Sequence, residues 1–254
     1  MKVNRIKEIS NYIREHENAS IDTLCSIFNV SKNTIRRDIA ELEEKGIIKK
    51  VYGGITLNID EKDTIPFNQR EIKNKDIKVV LAELASNLVE DNDIIFIDSG
   101  TTTVHMIPFL ANRRNLTIIT NNLNVLVMSL DYPNLNVLST GGSLFREANS
   151  FIGIEAIHFL NNYNIGKAFM ASTGVSISNG ITNSSSFEYQ IKKTVVQKSN
   201  KIIVLADSSK LDVASLMTYC DLKDIDALVT DNILPEAYYK FFKDNHIDAI
   251  IPTK

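Results

Sequence analysis

The sequence has 254 residues, of which 44% are hydrophobic and 23% are charged, and its formal net charge is −3 at pH 7. These values are close to globular averages and argue against disorder, and no apolar run reaches the ~20 residues of a membrane-spanning helix. Two cysteines and four scattered histidines predict reduced thiols and no metal site. We expect a cytoplasmic protein with no signal peptide and no cofactor, built from one small module and one domain of ordinary size.

The two parts of the chain differ in charge. Residues 1–57 carry ten Lys and Arg against eight Asp and Glu, or +2, whereas the remainder carries eighteen against twenty-three, or −5. This asymmetry alone is weak support for nucleic-acid binding, because the local placement of charge decides phosphate contact.

Residues 1–57 predict three short helices. The first has apolar residues at helical spacing, namely Val3, Ile6, Ile9 and Ile13. The second is capped by Ser20, ends at Asn29, and has an apolar face made of Ile21, Leu24, Cys25 and Phe28. The third is capped by Ser31, ends at Gly46, and buries Ile35, Ile39 and Leu42. Two short helices joined by a turn of three or four residues form a helix-turn-helix arrangement.

The third helix carries its cations where stability alone would place anions. Lys32, Arg36 and Arg37 precede all its carboxylates, although the helix dipole favours anions in the first turn. The N-terminal residues of a recognition helix enter the major groove, so this order predicts contact with double-stranded operator DNA. The predicted DNA-binding residues here are Ser31, Lys32, Asn33, Thr34, Arg36 and Arg37. A solvated basic face, or a helix-turn-helix that contacts protein, is the alternative.

Residues 47–55 predict a β-hairpin wing that turns at Gly53 and Gly54 and offers Lys49 and Lys50 to the DNA backbone. The N-terminal prediction is therefore a winged helix-turn-helix domain over residues 1–57. Residues 30–54 closely resemble the signature of DeoR-family bacterial transcription regulators. The family pattern usually has His where this chain has Tyr52.

Residues 58–72 are predicted as a linker, because 58–65 are polar and precede Pro66. Residues 73–254 alternate helical patterns with apolar runs at 94–97, 116–120, 135–139, 168–171, 202–206, 227–230 and 247–251. This alternation predicts a doubly wound α/β domain with a mostly parallel sheet covered on both faces. In such sheets a ligand binds beyond the carboxyl ends of the strands.

Polar loops follow several of these strands. Residues 98–103 read Asp98-Ser99-Gly100-Thr101-Thr102-Thr103, and the glycine, the hydroxyls and a following helix favour binding of an anion such as phosphate. An ordinary capped turn is the alternative. Later strands are followed by Thr120-Asn121-Asn122, Thr140-Gly141-Gly142 and Asp207-Ser208-Ser209-Lys210. Lys210 would add a point charge for a phosphate or a sugar oxygen.

These loops, in this order, also resemble the C-terminal domain of the DeoR family, so the resemblance covers nearly the whole chain. It implies a fold similar to ribose-5-phosphate isomerase and glucosamine-6-phosphate deaminase, and a domain that senses phosphorylated sugars. It further implies that Gly100 to Thr103 hold the phosphate, and that the sugar meets Asp98, Asn121, Gly141, Glu188, Lys192 and Lys210. Ser99, in the same loop, is also predicted to belong to the effector site. An i,i+4 surface ion pair is an equally good account of Glu188 and Lys192.

The rival prediction is an isomerase-like enzyme that carries a DNA-binding domain. Such chemistry needs a positioned carboxylate base, and residues 171–183, where the enzymes place acidic residues, contain none. A nucleotide switch is disfavoured because neither GxGxxG nor GxxxxGK[ST] occurs. The sequence therefore predicts a non-enzymatic repressor of a sugar-utilisation operon. We expect a homo-oligomer whose operator affinity changes when a phosphorylated sugar binds.

Overall fold

The structure is a computed structural model that describes residues 5–6, 8–10, 12–13, 18–44, 48–51, 54–57 and 66–252. The chain divides into two compact units, Met1–Asp63 and Thr64–Lys254. Within the described ranges, no helix combines the length and the apolar character that crossing a membrane requires.

The N-terminal unit contains the three predicted helices. Residues 5–6, 8–10 and 12–13 are helical and are called the first helix here; the others are Ile21–Phe28 and the recognition helix Lys32–Glu44. The three helices pack around a small core of predicted positions, among which Ile9, Leu24, Ile35 and Ile39 are almost completely buried. Val3 and Gly46, predicted as a core position and a helix end, lie outside the described residues.

The predicted caps of the two later helices are confirmed. The Ser20 Oγ accepts a hydrogen bond from the Thr23 N–H at 3.0 Å, and Asn29 ends the helix in the left-handed conformation with φ of 48°. The Ser31 Oγ accepts a hydrogen bond from the Thr34 N–H at 3.3 Å. These polar groups satisfy helix-end N–H groups, which fixes where the recognition helix begins.

The wing is present as two antiparallel strands, β2 at Ile48–Val51 and β3 at Gly54–Leu57, and a strand that was not predicted, β1 at Asn18–Ser20, pairs with β3. The sheet order is β1-β3-β2. Val51 pairs with Gly54, so Gly54 belongs to a strand and not to the turn. Tyr52 and Gly53, between the strands, lie outside the described residues.

The C-terminal unit is an α/β domain with twelve strands in its described part. They are β4 Ile94–Ile97, β5 Thr117–Thr120, β6 Asn136–Ser139, β7 Ser143–Phe145, β8 Ser150–Ile152, β9 Ile165–Ala171, β10 Gly174–Ser176, β11 Gly180–Asn183, β12 Ser199–Leu205, β13 Met217–Cys220, β14 Ala227–Val229 and β15 Asp248–Ile250. Its helices are Phe67–Ile72, Lys75–Ser86, Leu123–Ser129, Ile154–Asn161, Ser186–Lys198 and Glu236–Asn245, with 3-10 segments at Thr103–Leu110, Ser208–Lys210 and Leu222–Asp224.

Seven strands form one sheet in the order β15-β14-β12-β9-β4-β5-β6, and every neighbouring pair is parallel. These are the seven predicted runs. Successive residues of β4 alternate between two apolar layers, with Phe96 in one and Ile95 and Ile97 in the other. The sheet is therefore covered on both faces, as the predicted doubly wound fold requires.

Five strands of this unit were not predicted. β7 and β8 form an antiparallel hairpin, and β10, β11 and β13 form a separate antiparallel sheet. Of the predicted linker, residues 58–65 lie outside the described ranges, whereas Phe67–Ile72 is a helix. Phe67 is buried in a core of the C-terminal unit, and its N–H donates to the Glu147 carbonyl at 2.8 Å.

The chain reverses direction within the main sheet beside β4. It runs outward from β4 through β5 to β6, and then returns to β9 on the other side of β4. In sheets of this kind, ligands bind beyond the carboxyl ends of the strands at such a switch point. Asp98 follows β4 and Ala171 ends β9, so both residues lie at this switch point.

Candidate functional site

Asp98, which follows β4, forms hydrogen bonds that connect the two sides of the switch point. Its side chain is completely buried, and its Oδ2 accepts a hydrogen bond from the Ala171 N–H at 2.9 Å and another from the Lys192 ammonium. Lys192 is also buried and donates to the Ala171 carbonyl at 3.1 Å. This ion pair holds the loop after β4, the end of β9 and the helix Ser186–Lys198 in one arrangement.

Glu188 reaches the same loop from the same helix. It is buried and accepts a hydrogen bond from the Ser99 hydroxyl, which also lies 3.4 Å from Asp98 Oδ1. Glu188 and Lys192 are therefore buried and bind different partners, so the interpretation of them as a surface ion pair is wrong. The structure instead brings Glu188 to Ser99 and Lys192 to Asp98, two other residues of the predicted effector site.

The loop Gly100 to Thr103 packs tightly against the end of β9. A Cβ atom at Gly100 would lie 2.2 Å from the Ala171 Cβ, so only glycine fits here. The Thr103 hydroxyl donates to backbone carbonyls of the same loop, at 2.8 Å to Asp98 and 3.1 Å to Gly100. Thr101 and Thr102 are buried, and the Thr102 side chain makes no capping hydrogen bond.

The helix that follows this loop is a 3-10 helix, Thr103–Leu110, and Pro108 lies within it. Proline has no N–H to donate, which weakens the hydrogen bonding of a regular α-helix at this point. The first turn of any helix leaves N–H groups without partners inside the helix, so such groups can bind a ligand or another polar group.

The loop after β5 supports the Gly100 loop from the other side. Asn122 donates from Nδ2 to the carbonyls of Asp98, at 3.3 Å, and Gly100, at 3.4 Å. Asn121 donates to the Phe151 carbonyl at 3.3 Å, and its buried Oδ1 has no hydrogen-bond partner among the described residues. Gly141, after β6, has a φ of +64° with open space where a Cβ would point.

Lys78, which sequence reasoning missed, lies close to the predicted Lys210. Lys210 is half-buried in a loop held by Asp207, which accepts the Ser209 N–H at 3.0 Å. The Lys78 ammonium is buried and donates to the Arg70 carbonyl. Burial lowers the pKa of Lys78 to about 8, while Asp207 acts to raise the pKa and Lys210 to lower it further.

Arg70, also missed, lies near the carboxylates of the site. Burial lowers the pKa of Arg70, and Glu188 and Asp98 act in the opposite direction. Arg70 belongs to the helix Phe67–Ile72, within the segment predicted as a linker, so no pattern marked it. Lys78 had one available signal, since it stands within the apolar pattern of a helix in which Leu81 and Ala82 are buried.

The C-terminal site thus combines four cations, Arg70, Lys78, Lys192 and Lys210, with the carboxylates Asp98, Glu188 and Asp207. Around the Lys78 ammonium, the three cations Lys78, Lys210 and Arg70 stand against the two carboxylates Asp207 and Glu71, and this excess of positive charge favours an anion there. In the described ranges, no group of three or more His, Cys, Asp or Glu side chains is placed to hold a metal ion.

The recognition helix presents most of the predicted DNA-binding residues to solvent. Ser31, Lys32, Asn33, Arg36 and Arg37 are exposed, and Thr34 is half-buried. The Lys32 ammonium lies 2.5 Å from the Asp22 carboxylate, and Lys50 in the wing pairs with Glu43. The side chain of Lys49 lies outside the described residues.

Comparison with known proteins assigns the chain to a protein family. The family model for the DeoR C terminal sensor domain matches residues 73–232, and the model for the DeoR-like helix-turn-helix domain matches residues 5–61. The chain belongs to the DeoR family. This DeoR-family protein is a DNA-binding transcription regulator, whose N-terminal unit matches the DNA-binding domain and whose C-terminal unit contains the sensor domain.

Relatives of this regulator match over nearly their whole length. It is 41% identical to the HTH-type transcriptional regulator IolR of Bacillus subtilis, over 97% of this chain and 98% of that protein. It is 32% identical to the HTH-type transcriptional regulator GolR of Listeria innocua, over 98% and 97%. Ribose 5-phosphate isomerase A of Methanocaldococcus jannaschii shares 22% identity, with a TM-score of 0.41 over 55% of each chain.

Proposed function

We propose that this regulator is a repressor whose operator affinity changes when a phosphorylated sugar binds at the switch point of the C-terminal sheet. The observation that carries the proposal is the cation cluster at the buried ammonium of Lys78, where the three cations Lys78, Lys210 and Arg70 stand against the two carboxylates Asp207 and Glu71, so that like charges still repel one another. A dianionic phosphate would neutralise this repulsion, so the site favours such a ligand.

The two ends of the proposed ligand contact different residues. The phosphate meets the backbone of Gly100 to Thr103, Lys78 and Lys210, where charge and loop N–H groups act together. The sugar hydroxyls meet Asp98, Ser99, Asn121, Gly141, Glu188 and Lys192. Asn121 supports this assignment because its buried Oδ1 has no partner in the described part of the protein and needs a donor.

Binding without turnover is the better account of the acidic residues. An isomerase needs a carboxylate that is available to take a proton from the substrate. Asp98 already accepts two hydrogen bonds and Glu188 accepts one from Ser99. The segment between Ala171 and Asn183 contains the short strands β10 and β11 and has no carboxylate.

The test begins with selection of an operator duplex by the full chain from a random-sequence library. Binding to that duplex is then titrated with a panel of aldose and ketose monophosphates and with the same sugars lacking phosphate. We expect at least one monophosphate to change operator affinity and to raise the melting temperature, since a ligand that binds only the folded state stabilises it. A response to unphosphorylated sugars only, or isomerisation of a monophosphate, would contradict the proposal.

A further inference from the structure

Asp38 is a buried carboxylate on the recognition helix. Its side chain is 1% exposed and lies on the helix face that packs into the core with Ile35 and Ile39. Its partner is Arg5 on the first helix, whose Nε lies 2.6 Å from Asp38 Oδ2 and whose Nη2 lies 3.2 Å from Oδ1. A two-point ion pair therefore crosses the contact between the first helix and the recognition helix.

The rest of this contact fixes the orientation of the recognition helix less strictly than the Arg5–Asp38 ion pair does. Isoleucine side chains dominate it, and the hydrophobic effect is non-directional, so such a contact tolerates small rotations and shifts. A guanidinium that meets both oxygens of a carboxylate fixes distance and plane together. Because Asp38 directly follows Arg36 and Arg37, any rotation at Asp38 moves those exposed cations as well.

We propose that Arg5 and Asp38 are positioning residues for operator recognition: their ion pair sets the orientation in which the recognition helix presents its exposed side chains to base edges. The inference rests on the DNA-reading role proposed for that helix. Base contacts depend on orientation, whereas attraction to phosphates depends mainly on charge. Loss of the pair should therefore reduce the discrimination between operator and other DNA, and leave non-specific affinity nearly unchanged.

The decisive variant is the double replacement Arg5→Met with Asp38→Leu. It removes one positive and one negative charge, so the net charge stays the same. Replacing a buried ion pair by apolar residues of similar volume is often neutral or stabilising, which separates positioning from stability. We expect operator affinity to fall by about tenfold, comparable to losing part of one base contact, with unchanged affinity for a scrambled duplex and a melting temperature close to that of the wild type.

Two further variants sharpen the test. Arg5→Lys keeps the charge but can offer only one donor position. We therefore expect its ratio of affinities for operator and scrambled duplex to lie between the ratio of the wild type and that of the double variant. Arg114→Met with Asp91→Leu removes a pair of the same type in the C-terminal unit, where Arg114 Nε lies 2.9 Å from Asp91 Oδ2, and should behave as the wild type on both duplexes.

The measurements are fluorescence anisotropy titrations of two duplexes, the one selected by the wild-type chain and its scrambled version, at one salt concentration well below the melting temperature. Wild-type discrimination in the folded double variant would overturn the positioning role. If that variant does not fold, the ratio of affinities for Arg5→Lys decides in the same way. If the wild-type chain selects no sequence at all, the proposed operator recognition itself fails, and this inference with it.

Discussion

The ammonium group of Lys78 lies buried beside Lys210 and Arg70, and burial lowers its pKa from 10.5 to about 8. The unfolded chain therefore holds this proton more tightly than the folded chain, and the free energy of unfolding rises as the pH increases from about 8 towards 10.5. We expect Lys78→Met to raise the melting temperature at pH 7, because the cost of a buried charge is removed. Thermal melts of both proteins between pH 7 and 10 should also show that this pH dependence is lost in the variant.

The same substitution should weaken binding of the proposed effector. A hydrogen bond to a charged group contributes about 1.5–3 kcal/mol, so we expect roughly 10- to 100-fold weaker binding of the responding sugar phosphate to Lys78→Met. In the wild type, affinity should fall above pH 8, where Lys78 loses its charge. Calorimetric titrations between pH 7 and 9.5 provide the comparison. Equal affinity and equal pH dependence in the two proteins would contradict a role for Lys78 in phosphate binding.

Thr102 and Thr103 form a matched pair, because they are neighbours with different hydrogen bonding. The Thr103 hydroxyl bonds to the carbonyls of Asp98 and Gly100, whereas Thr102 makes no capping bond. We expect Thr103→Ala to lower the free energy of unfolding by about 1 kcal/mol. We expect Thr102→Ala to weaken effector binding by roughly 1–3 kcal/mol with little loss of stability. Melting curves and effector titrations on both variants test this. A normal effector response in Thr102→Ala would contradict the assignment of Gly100 to Thr103 as a phosphate-binding loop.

The residues found from sequence and those missed differ in where they stand in the chain. Asp98, Asn121 and Lys210 could be predicted, because they directly follow apolar runs and the ends of parallel strands meet at one edge. Arg70 and Lys78 precede the first strand of the sheet, on helices where a cation normally indicates a solvated face. Only the packing of those helices shows that these cations lie beside Asp98, Glu188 and Lys210.

The recognition helix permits a prediction about base and phosphate contacts. We expect Arg36→Ala and Lys32→Ala to weaken operator binding without unfolding the protein, since both side chains are exposed. Loss of a base contact costs about 1–3 kcal/mol and relaxes sequence preference, whereas loss of a phosphate contact weakens all sequences and lowers the salt slope by about one. The Lys32 effect should be the smaller, because Asp22 competes for its ammonium.

Duplex titrations at several salt concentrations distinguish the two kinds of contact. Lys243→Ala, on an exposed position of the helix Glu236–Asn245, is the control for loss of one positive charge away from the N-terminal unit. Unchanged operator affinity in both Arg36→Ala and Lys32→Ala would contradict the recognition-helix assignment.

The elements that could be predicted are those with strong local signals. Five of the seven strands of the parallel sheet contain buried apolar residues, and the edge strands β6 and β15 are half-buried or exposed. The caps at Ser20 and Ser31 have a direct chemical signature. The missed strands have three or four residues, and most of them contain Ser, Gly or Asn, as in Gly174–Ser176 and Gly180–Asn183. Such short strands depend on partners distant in sequence, as β11 does on β13, and therefore carry no periodicity of their own.

For the whole molecule, the compact C-terminal unit Thr64–Lys254 includes the helix Phe67–Ile72, which precedes the predicted start of the sensing domain at residue 73. We expect a fragment of residues 64–254 to bind the effector as the full chain does. A fragment of residues 73–254 should bind it more weakly and melt lower, because it lacks Arg70 and the buried Phe67, whose burial contributes about 1.5–3 kcal/mol. Calorimetry and melting curves on both fragments test this. Identical behaviour would show that Phe67–Ile72 is only a linker.

The order of strands in the main sheet also affects synthesis of the protein. In the described residues of the N-terminal unit, every strand pairing lies within residues 18–57, whereas the main sheet joins β4 to β9 across four intervening strands and is completed at its edge by β15. On the ribosome the DNA-binding unit can fold as soon as it emerges, because domains fold as units from the N-terminus. At roughly 5–20 residues per second, the sensor is completed on the order of ten to forty seconds later. A nascent chain thus acquires its operator-binding surface before it can respond to an effector.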